Sequence, residues 1–195
     1  MNRLSFPTAF RLWIVPLFIG LAAVIGWLFD PAASKLFALN YEHVRNGEIY
    51  RMLSGHLMHT NEWHLLLNLA GLVLLWALHG DYYTPKRLII VWVGISLLTS
   101  VGLVIVDPDM TYVGLSGALH GLFAWGACLD IRNKDKTGWL LLLGLFIKIG
   151  FEQFGGDTSD IAALIDASVA VNAHAFGAFA GVIFGLFYAL KKSPQ

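Results

Sequence analysis

The chain has 195 residues, of which 57% are hydrophobic and 13% charged, and its 13 basic and 13 acidic side chains cancel. Soluble domains are about a quarter charged and less than about half apolar, so this composition excludes a disordered chain and most soluble enzymes. The zero net charge leaves no basic surface for a nucleic acid, and the single cysteine excludes a disulfide framework and a cysteine-based metal site.

Six apolar blocks have the length of a membrane-spanning helix, which needs roughly 20 residues with a range of about 17–25. They predict spans at 12–29, 63–79, 88–106, 113–129, 138–154 and 168–190. The first block is longer than the hydrophobic region of a cleaved signal peptide, so we interpret it as an uncleaved helix. The fifth contains Lys148 and Glu152. The sequence therefore predicts an all-α polytopic membrane protein, a single six-span domain over residues 1–195.

Basic residues are concentrated in the loops on one side of the predicted bundle. Cytoplasmic loops of membrane proteins carry an excess of Lys and Arg, so we expect this side, with both chain termini, to face the cytoplasm. The predicted outer side carries Lys35, Arg45, Arg51 and Lys148. The predicted inner side carries Arg3, Arg11, Lys86, Arg87, Arg132, Lys134, Lys136, Lys191 and Lys192.

A Gly114-Leu-Ser116-Gly117 motif begins the fourth predicted span. Asp107-Pro108-Asp109 ends the preceding span, so Ser116 is expected near a helix N-terminus, where free backbone N–H groups can stabilise an oxyanion. Serine and glycine also allow helices to approach each other closely, without any catalysis. Ser116 is thus a candidate nucleophile or a packing residue.

Glycines line one face of the fourth span and one face of the sixth. Residues three and four apart lie on the same helix face, and two glycine-lined faces can pack with their backbones unusually close. Such packing explains the glycines whether or not the protein is an enzyme, but it would also bring His174 towards Ser116. The residues concerned are Gly117 and Gly121 in the fourth span, and His174, Gly177, Gly181 and Gly185 in the sixth.

Ser116 and His174 together are candidates for a catalytic pair, because a serine needs an adjacent base to become a nucleophile. Neither of their two spans contains an acidic residue. We therefore expect a Ser–His dyad rather than a triad, with Asp166 able to approach His174 only from a loop.

A third polar group lies at the start of the second span. His64 and Asn68 are four residues apart and share a helix face, and an amide and an imidazole aimed at one point would suit an oxyanion. Alternatively, these two side chains hydrogen-bond to each other or to the backbone of a loop. The nearby His56 and His59 raise the question of a metal, but the sequence has no HExxH motif, so we expect no metal and no cofactor.

These residues resemble the rhomboid family of intramembrane serine proteases over the second to sixth spans. The resemblance implies a six-helix rhomboid-like bundle with Ser116 as nucleophile and His174 as its base. It also implies oxyanion stabilisation by His64, Asn68 and the Ser116 N–H, and it places Arg51 with the outer loop Asp30–Tyr50. The matching motifs are Tyr50-Arg51, His59 with His64-xxx-Asn68, Gly114-Leu-Ser116-Gly117 and Ala173-His174-xx-Gly177-xxx-Gly181.

One position departs from the family pattern. Rhomboids commonly carry a tyrosine four residues after the serine, stacked on the catalytic histidine, and His120 stands there instead. Its imidazole is a candidate to support His174 in place of the tyrosine.

The run Gly-Leu-Ser-Gly-Ala-Leu-His-Gly is similar to the rhombosortase branch of the family. This similarity implies a bacterial inner-membrane protein whose partners are the lipid bilayer and membrane-anchored protein substrates, with no nucleic acid. Its substrates would carry a C-terminal anchor signal, made of a glycine-rich motif, a hydrophobic helix and a basic tail. Cleavage would then fall near the outer membrane face.

Two other functions are compatible with a polytopic bundle. An inactive rhomboid-like protein would bind membrane helices without cutting them, but such relatives usually lose the serine or the histidine, and both are present here. A small solute transporter would show internal repeats and midplane carboxylates. The sequence shows no repeat.

Overall fold

The computed structural model describes residues 7–190, with side chains described to residue 187. Arg3, Lys191 and Lys192, which contribute to the predicted orientation, lie outside the described residues. In chain order the elements are α1 (Phe10–Leu28), α2 (Ala32–Phe37), β1 (Leu39–Asn40), α3 (Tyr41–Arg45), α4 (Arg51–Ser54), α5 (Glu62–His79), α6 (Pro85–Val106), β2 (Thr111–Tyr112), α7 (Ser116–Arg132), α8 (Thr137–Gln153), α9 (Ser159–Ile165) and α10 (Val171–Leu190).

The six long helices α1, α5, α6, α7, α8 and α10 form an all-α bundle, which confirms the predicted fold class. Among the described residues, Phe10–Leu28, Glu62–Tyr82 and Pro85–Val106 are long and apolar enough to cross a membrane, and Val171–Phe187 is a shorter apolar helix. The division into six membrane spans stays a prediction.

Three helices begin three residues away from the start of their predicted spans: α6, α7 and α10, the last at Val171 rather than at residue 168. The first two differences have local reasons. α6 begins at Pro85 rather than at residue 88, because proline suits the first turn of a helix. α7 begins at Ser116 rather than at residue 113, because Gly114 has a φ of +122°, which no helical residue adopts.

The exterior of the bundle is apolar and parts of its interior are polar. Phe18, Leu74 and Ile105 are about 70% exposed, whereas Ser96 and Thr99 of α6 are fully buried. Polar side chains in a membrane protein face the bundle interior, where they find partners that lipid does not offer. The surface is therefore suited to a lipid environment.

Helices α7 and α10 pack backbone against backbone at the centre of the bundle. A Cβ atom added to Gly177 would overlap the carbonyl oxygen of Gly117, and one added to Gly181 would overlap that of Gly121. This contact fixes the N-terminal end of α7 beside the first turns of α10.

The segment between α1 and α5 folds over the same end of α7. Its strand β1 pairs antiparallel with β2, with Leu39 opposite Tyr112. Tyr112 in turn donates a hydrogen bond of 2.6 Å to the carbonyl oxygen of Gly114. The long connection between α1 and α5 is therefore joined directly to the residues that precede Ser116.

Arg51 holds this connection together from a buried position. Its guanidinium donates to the carbonyl oxygens of Ala38 and Lys35, at 2.9 and 3.1 Å, and to the carboxylate of Glu48 at 2.7 Å. Hydrogen bonds from His43, Arg51 and Tyr50 lower the pKa of Glu48 to about 2.

Candidate active site

Ser116 and His174 are hydrogen-bonded. The Ser116 Oγ lies 3.0 Å from the Nε2 of His174. Ser116 is the first residue of α7 and His174 lies in the first turn of α10, so the glycine contact between these helices sets the distance between the two side chains.

Glu152 of α8 contacts the other nitrogen of the same imidazole. Its Oε2 lies 2.9 Å from the His174 Nδ1, and both side chains are 8% exposed. A carboxylate only accepts hydrogen bonds, so the proton belongs on Nδ1 and the lone pair of Nε2 faces Ser116. On the far side of Glu152, the Nζ of Lys148 donates to Oε1 at 2.6 Å.

The sequence predicted a Ser–His dyad, with Asp166 able to approach His174 only from a loop, whereas the structure places the carboxylate of Glu152 against His174. Asp166 is exposed, and the two ring nitrogens of His174 are occupied by Ser116 and Glu152. The prediction considered only the spans that hold Ser116 and His174. Glu152 comes from a third helix, near its C-terminal end, and α8 packs against both α7 and α10.

His120 lies on the face of the His174 ring. The ring centroids are 4.1 Å apart and the planes differ by 18°. The His120 Nδ1 is 2.7 Å from the carbonyl oxygen of Ser116, to which it donates. His120 therefore occupies a stacking position one helical turn below Ser116, while its contribution to function stays a prediction.

His64 and Asn68 of α5 face Gly114. A Cβ atom at position 114 would lie 2.7 Å from the His64 Nε2 and 3.8 Å from the Asn68 Nδ2. Asn68 donates one hydrogen bond, of 3.0 Å, to the backbone carbonyl of His64. The absence of a side chain at Gly114 thus leaves a small space between these two polar groups and the start of α7.

Three other candidates are not part of this cluster. His56 bonds the carbonyl oxygen of Ser96 and the Ser100 hydroxyl in the interior of the bundle. His59 is buried and touches the edge of the His64 ring, with centroids 5.0 Å apart. Arg51 donates hydrogen bonds to backbone carbonyl oxygens within the connection between α1 and α5. Their positions support the surrounding structure rather than the Ser116–His174 contact.

The cluster borders a cavity of about 690 Å³ between α5, α7, α8 and the connection to α10. Ser116, His64, Asn68, His120 and His174 line it, and the rest of the lining is mainly apolar. The lining residues Leu67, Leu74 and Leu78 are also 45–69% exposed, so the cavity is continuous with the lipid-facing surface of α5. In residues 7–190, no group of three or more His, Cys, Asp or Glu side chains is arranged to hold a metal ion.

Comparison with known proteins gives a family match over most of the chain. The model of the Rhomboid domain matches residues 46–191. The chain is 26% identical over 199 residues to the Bacillus subtilis (strain 168) protein named "Putative rhomboid protease YdcA", covering 98% of this chain and 96% of that protein. It is also 32% identical over 160 residues to "Rhomboid-like protease 5" of Toxoplasma gondii, covering 78% of this chain but only 18% of that protein.

Proposed function

The chain belongs to the rhomboid family, and from this premise we propose that it is an intramembrane serine endopeptidase with Ser116 as nucleophile and His174 as general base. The observation that carries the proposal is the 3.0 Å contact between the Ser116 Oγ and the His174 Nε2 in the lining of a mainly apolar cavity. A serine hydrogen-bonded to a base has the arrangement that acyl transfer requires.

The reaction follows from this pair. As the Ser116 Oγ attacks a peptide carbonyl carbon, its proton passes to the His174 Nε2 and the carbonyl oxygen becomes an oxyanion. His174 then returns the proton to the nitrogen of the breaking C–N bond, which leaves as an amine. Water, deprotonated by His174, attacks the acyl-enzyme ester, and the carboxylic acid product leaves as Ser116 regains its proton.

Three donors are available to the oxyanion. The Ser116 N–H stands at a helix N-terminus, where backbone donors lack intrahelical partners. Asn68 has a second amide hydrogen beyond the one bound to the His64 carbonyl. We assign the third donor to the Nε2 of His64, which requires the tautomer with its proton on Nε2; the Nδ1 lies 3.4 Å from the Thr60 backbone nitrogen and 3.1 Å from the Thr60 hydroxyl oxygen.

The substrates in this proposal are membrane-anchored proteins, cut at a glycine-rich segment before a C-terminal anchor helix. A helix must unwind before its carbonyl can meet Ser116, because helical backbone groups are bonded to one another. Glycine eases unwinding, since it costs a helix about 1 kcal/mol relative to alanine. The proposal places the protein in a bacterial inner membrane with both termini in the cytoplasm and the site near the outer face.

A fluorophosphonate probe, which phosphonylates activated serines, tests the proposed activity directly. Purified wild-type protein in detergent should be labelled, and Ser116→Ala and His174→Ala should not. The double variant should be no worse than either single variant, because nucleophile and base act as a unit. Equal labelling of wild type and Ser116→Ala contradicts Ser116 as the nucleophile. No labelling of wild type contradicts the proposed activity and favours an inactive helix-binding protein.

A further inference from the structure

We propose that Glu152 is a positioning residue of this active site and that Lys148 determines which of its two oxygens faces His174. The inference rests on the proposed function and extends it from the Ser116–His174 pair to a hydrogen-bonded network of four side chains. In this network Lys148 orients Glu152, Glu152 orients His174, and His174 activates Ser116.

The first step is the contact of Glu152 with His174. The Oε2 lies 2.9 Å from Nδ1 on one side of the ring, and the Ser116 Oγ lies 3.0 Å from Nε2 on the other side. An acceptor-only group at Nδ1 keeps the proton there, so Nε2 is free to take the proton of Ser116. When His174 becomes doubly protonated during the reaction, the carboxylate also stabilises the added charge.

The second step is the placement of the carboxylate itself. Ionisable side chains within an apolar helix are costly and are found where they pair or function. The side chain of Glu152 is 8% exposed, whereas that of Lys148, one turn earlier on α8, is 45% exposed. Lys148 lines the cavity and donates to Oε1 at 2.6 Å, which leaves Oε2 for His174.

An ion pair that only neutralised the two charges of α8 would not require either residue to contact His174. Charge neutralisation alone and positioning of His174 predict different effects of Glu152→Gln on activity. An ammonium group only donates, so Lys148 would hold the amide oxygen of Gln and turn its NH₂ group towards Nδ1. His174 would then carry its proton on Nε2, facing Ser116, and could not act as a base.

Removing Lys148 as well should reverse part of this loss. Without the ammonium, the amide of glutamine is free to rotate and to present its oxygen to the Nδ1 proton, which restores the productive tautomer. The second substitution should therefore increase activity in the Glu152→Gln background, although it brings no new group to Ser116.

The experiment measures the rate of fluorophosphonate labelling and the thermal unfolding temperature of purified variants in one detergent. The variants are Glu152→Gln, Lys148→Met, their combination and Glu152→Asp, and Glu42→Gln is the matched control on the exposed helix α3. We expect Glu152→Gln to label at least about 100-fold more slowly than wild type, by analogy with the loss when an amide replaces a triad carboxylate. The double variant should label at least about ten-fold faster than Glu152→Gln. Glu152→Asp should also exceed Glu152→Gln, and Glu42→Gln should match wild type.

The outcomes separate this inference from the proposed function. If wild type is labelled at Ser116 but Glu152→Gln labels equally fast, Glu152 does not position His174. If the double variant labels no faster than Glu152→Gln, the assigned role of Lys148 is wrong. Should Glu152→Gln fail to fold, a Glu152→Ala variant that folds and labels as fast as wild type overturns the inference. A wild type that is not labelled overturns both proposals.

Discussion

The imidazole rings of His120 and His174 lie nearly parallel, with centroids 4.1 Å apart and planes 18° apart. His120 also donates a 2.7 Å hydrogen bond to the carbonyl oxygen of Ser116. One side chain thus contacts the proposed base through its face and the backbone of the proposed nucleophile through its edge.

His120→Phe should keep a ring against His174 but lose the bond to Ser116. A hydrogen bond of this kind is worth about 1 kcal/mol net, so we expect fluorophosphonate labelling to slow by about five-fold. His120→Tyr should retain more activity than His120→Phe because it keeps a polar group, and His120→Ala should retain the least. Equal labelling rates in all four proteins would make His120 a packing residue.

Gly121→Val should abolish labelling. Even a Cβ atom at this position would lie 2.7 Å from the carbonyl oxygen of Gly177, so α7 must move away from α10 and separate Ser116 from His174. Misplacement of catalytic groups by about 1 Å costs on the order of 100-fold in rate. Gly150→Ala is the control, because a Cβ atom there meets nothing within 4 Å. Full labelling of Gly121→Val would contradict the close-packing argument.

Gly114→Ala should reduce activity beyond its effect on stability. Its φ of +122° strains any other residue, at a cost of about 1–3 kcal/mol, and the new methyl group would occupy the space beside His64 and Asn68. Gly155, with a φ of +86°, has no atom within 4 Å of an added Cβ. Both alanine variants should unfold at lower temperature than wild type, but only Gly114→Ala should lose labelling. An equal loss of labelling in Gly114→Ala and Gly155→Ala would contradict an oxyanion site beside Gly114.

Glu48→Gln should destabilise the connection between α1 and α5 in a pH-dependent way. The folded-state pKa of Glu48 is about 2, below its ordinary value of 4.5, so the folded state binds fewer protons than the unfolded state between these values. The resulting stabilisation is fully present above pH 4.5 and is lost as the pH falls towards 2. The difference in unfolding temperature between wild type and Glu48→Gln should be largest at pH 7 and shrink at pH 3. Glu42→Gln is the control. If the difference in unfolding temperature between wild type and Glu48→Gln is the same at pH 7 and pH 3, the ionised carboxylate of Glu48 does not supply this stabilisation.

The proposed substrate class can be tested in cells that produce this protein. Proteins with a glycine-rich segment, an apolar helix and a basic tail at the C-terminus should be shortened in cells with the wild-type enzyme and intact in cells with Ser116→Ala. Mass spectrometry of their C-terminal peptides measures the difference. Identical full-length C-termini in both strains would remove this substrate class and leave the protease proposal standing.

The helices and the Ser116–His174 contact followed from local patterns in the sequence. Apolar blocks mark the helices, and the three- and four-residue spacing of glycines marks the faces of α7 and α10 that meet. These patterns could not predict the contact of Glu152 with His174, because the orientation of the Glu152 side chain depends on how α8 packs against two other helices. The β1–β2 pairing is equally hidden, since each strand has two residues and they are far apart in the chain. Short-range periodicity therefore predicted the pair, and only the tertiary arrangement revealed its carboxylate.

The backbone contact between α7 and α10 also has an evolutionary consequence. When two side chains meet, a larger residue on one helix can be accommodated by a smaller one on the other. At Gly177 and Gly117 a new Cβ atom meets a carbonyl oxygen, and no substitution in the partner makes a carbonyl oxygen smaller. Second-site suppressors of a Gly177 substitution should therefore be absent from position 117. Among relatives that keep this contact, the two positions should stay glycine without showing correlated exchange.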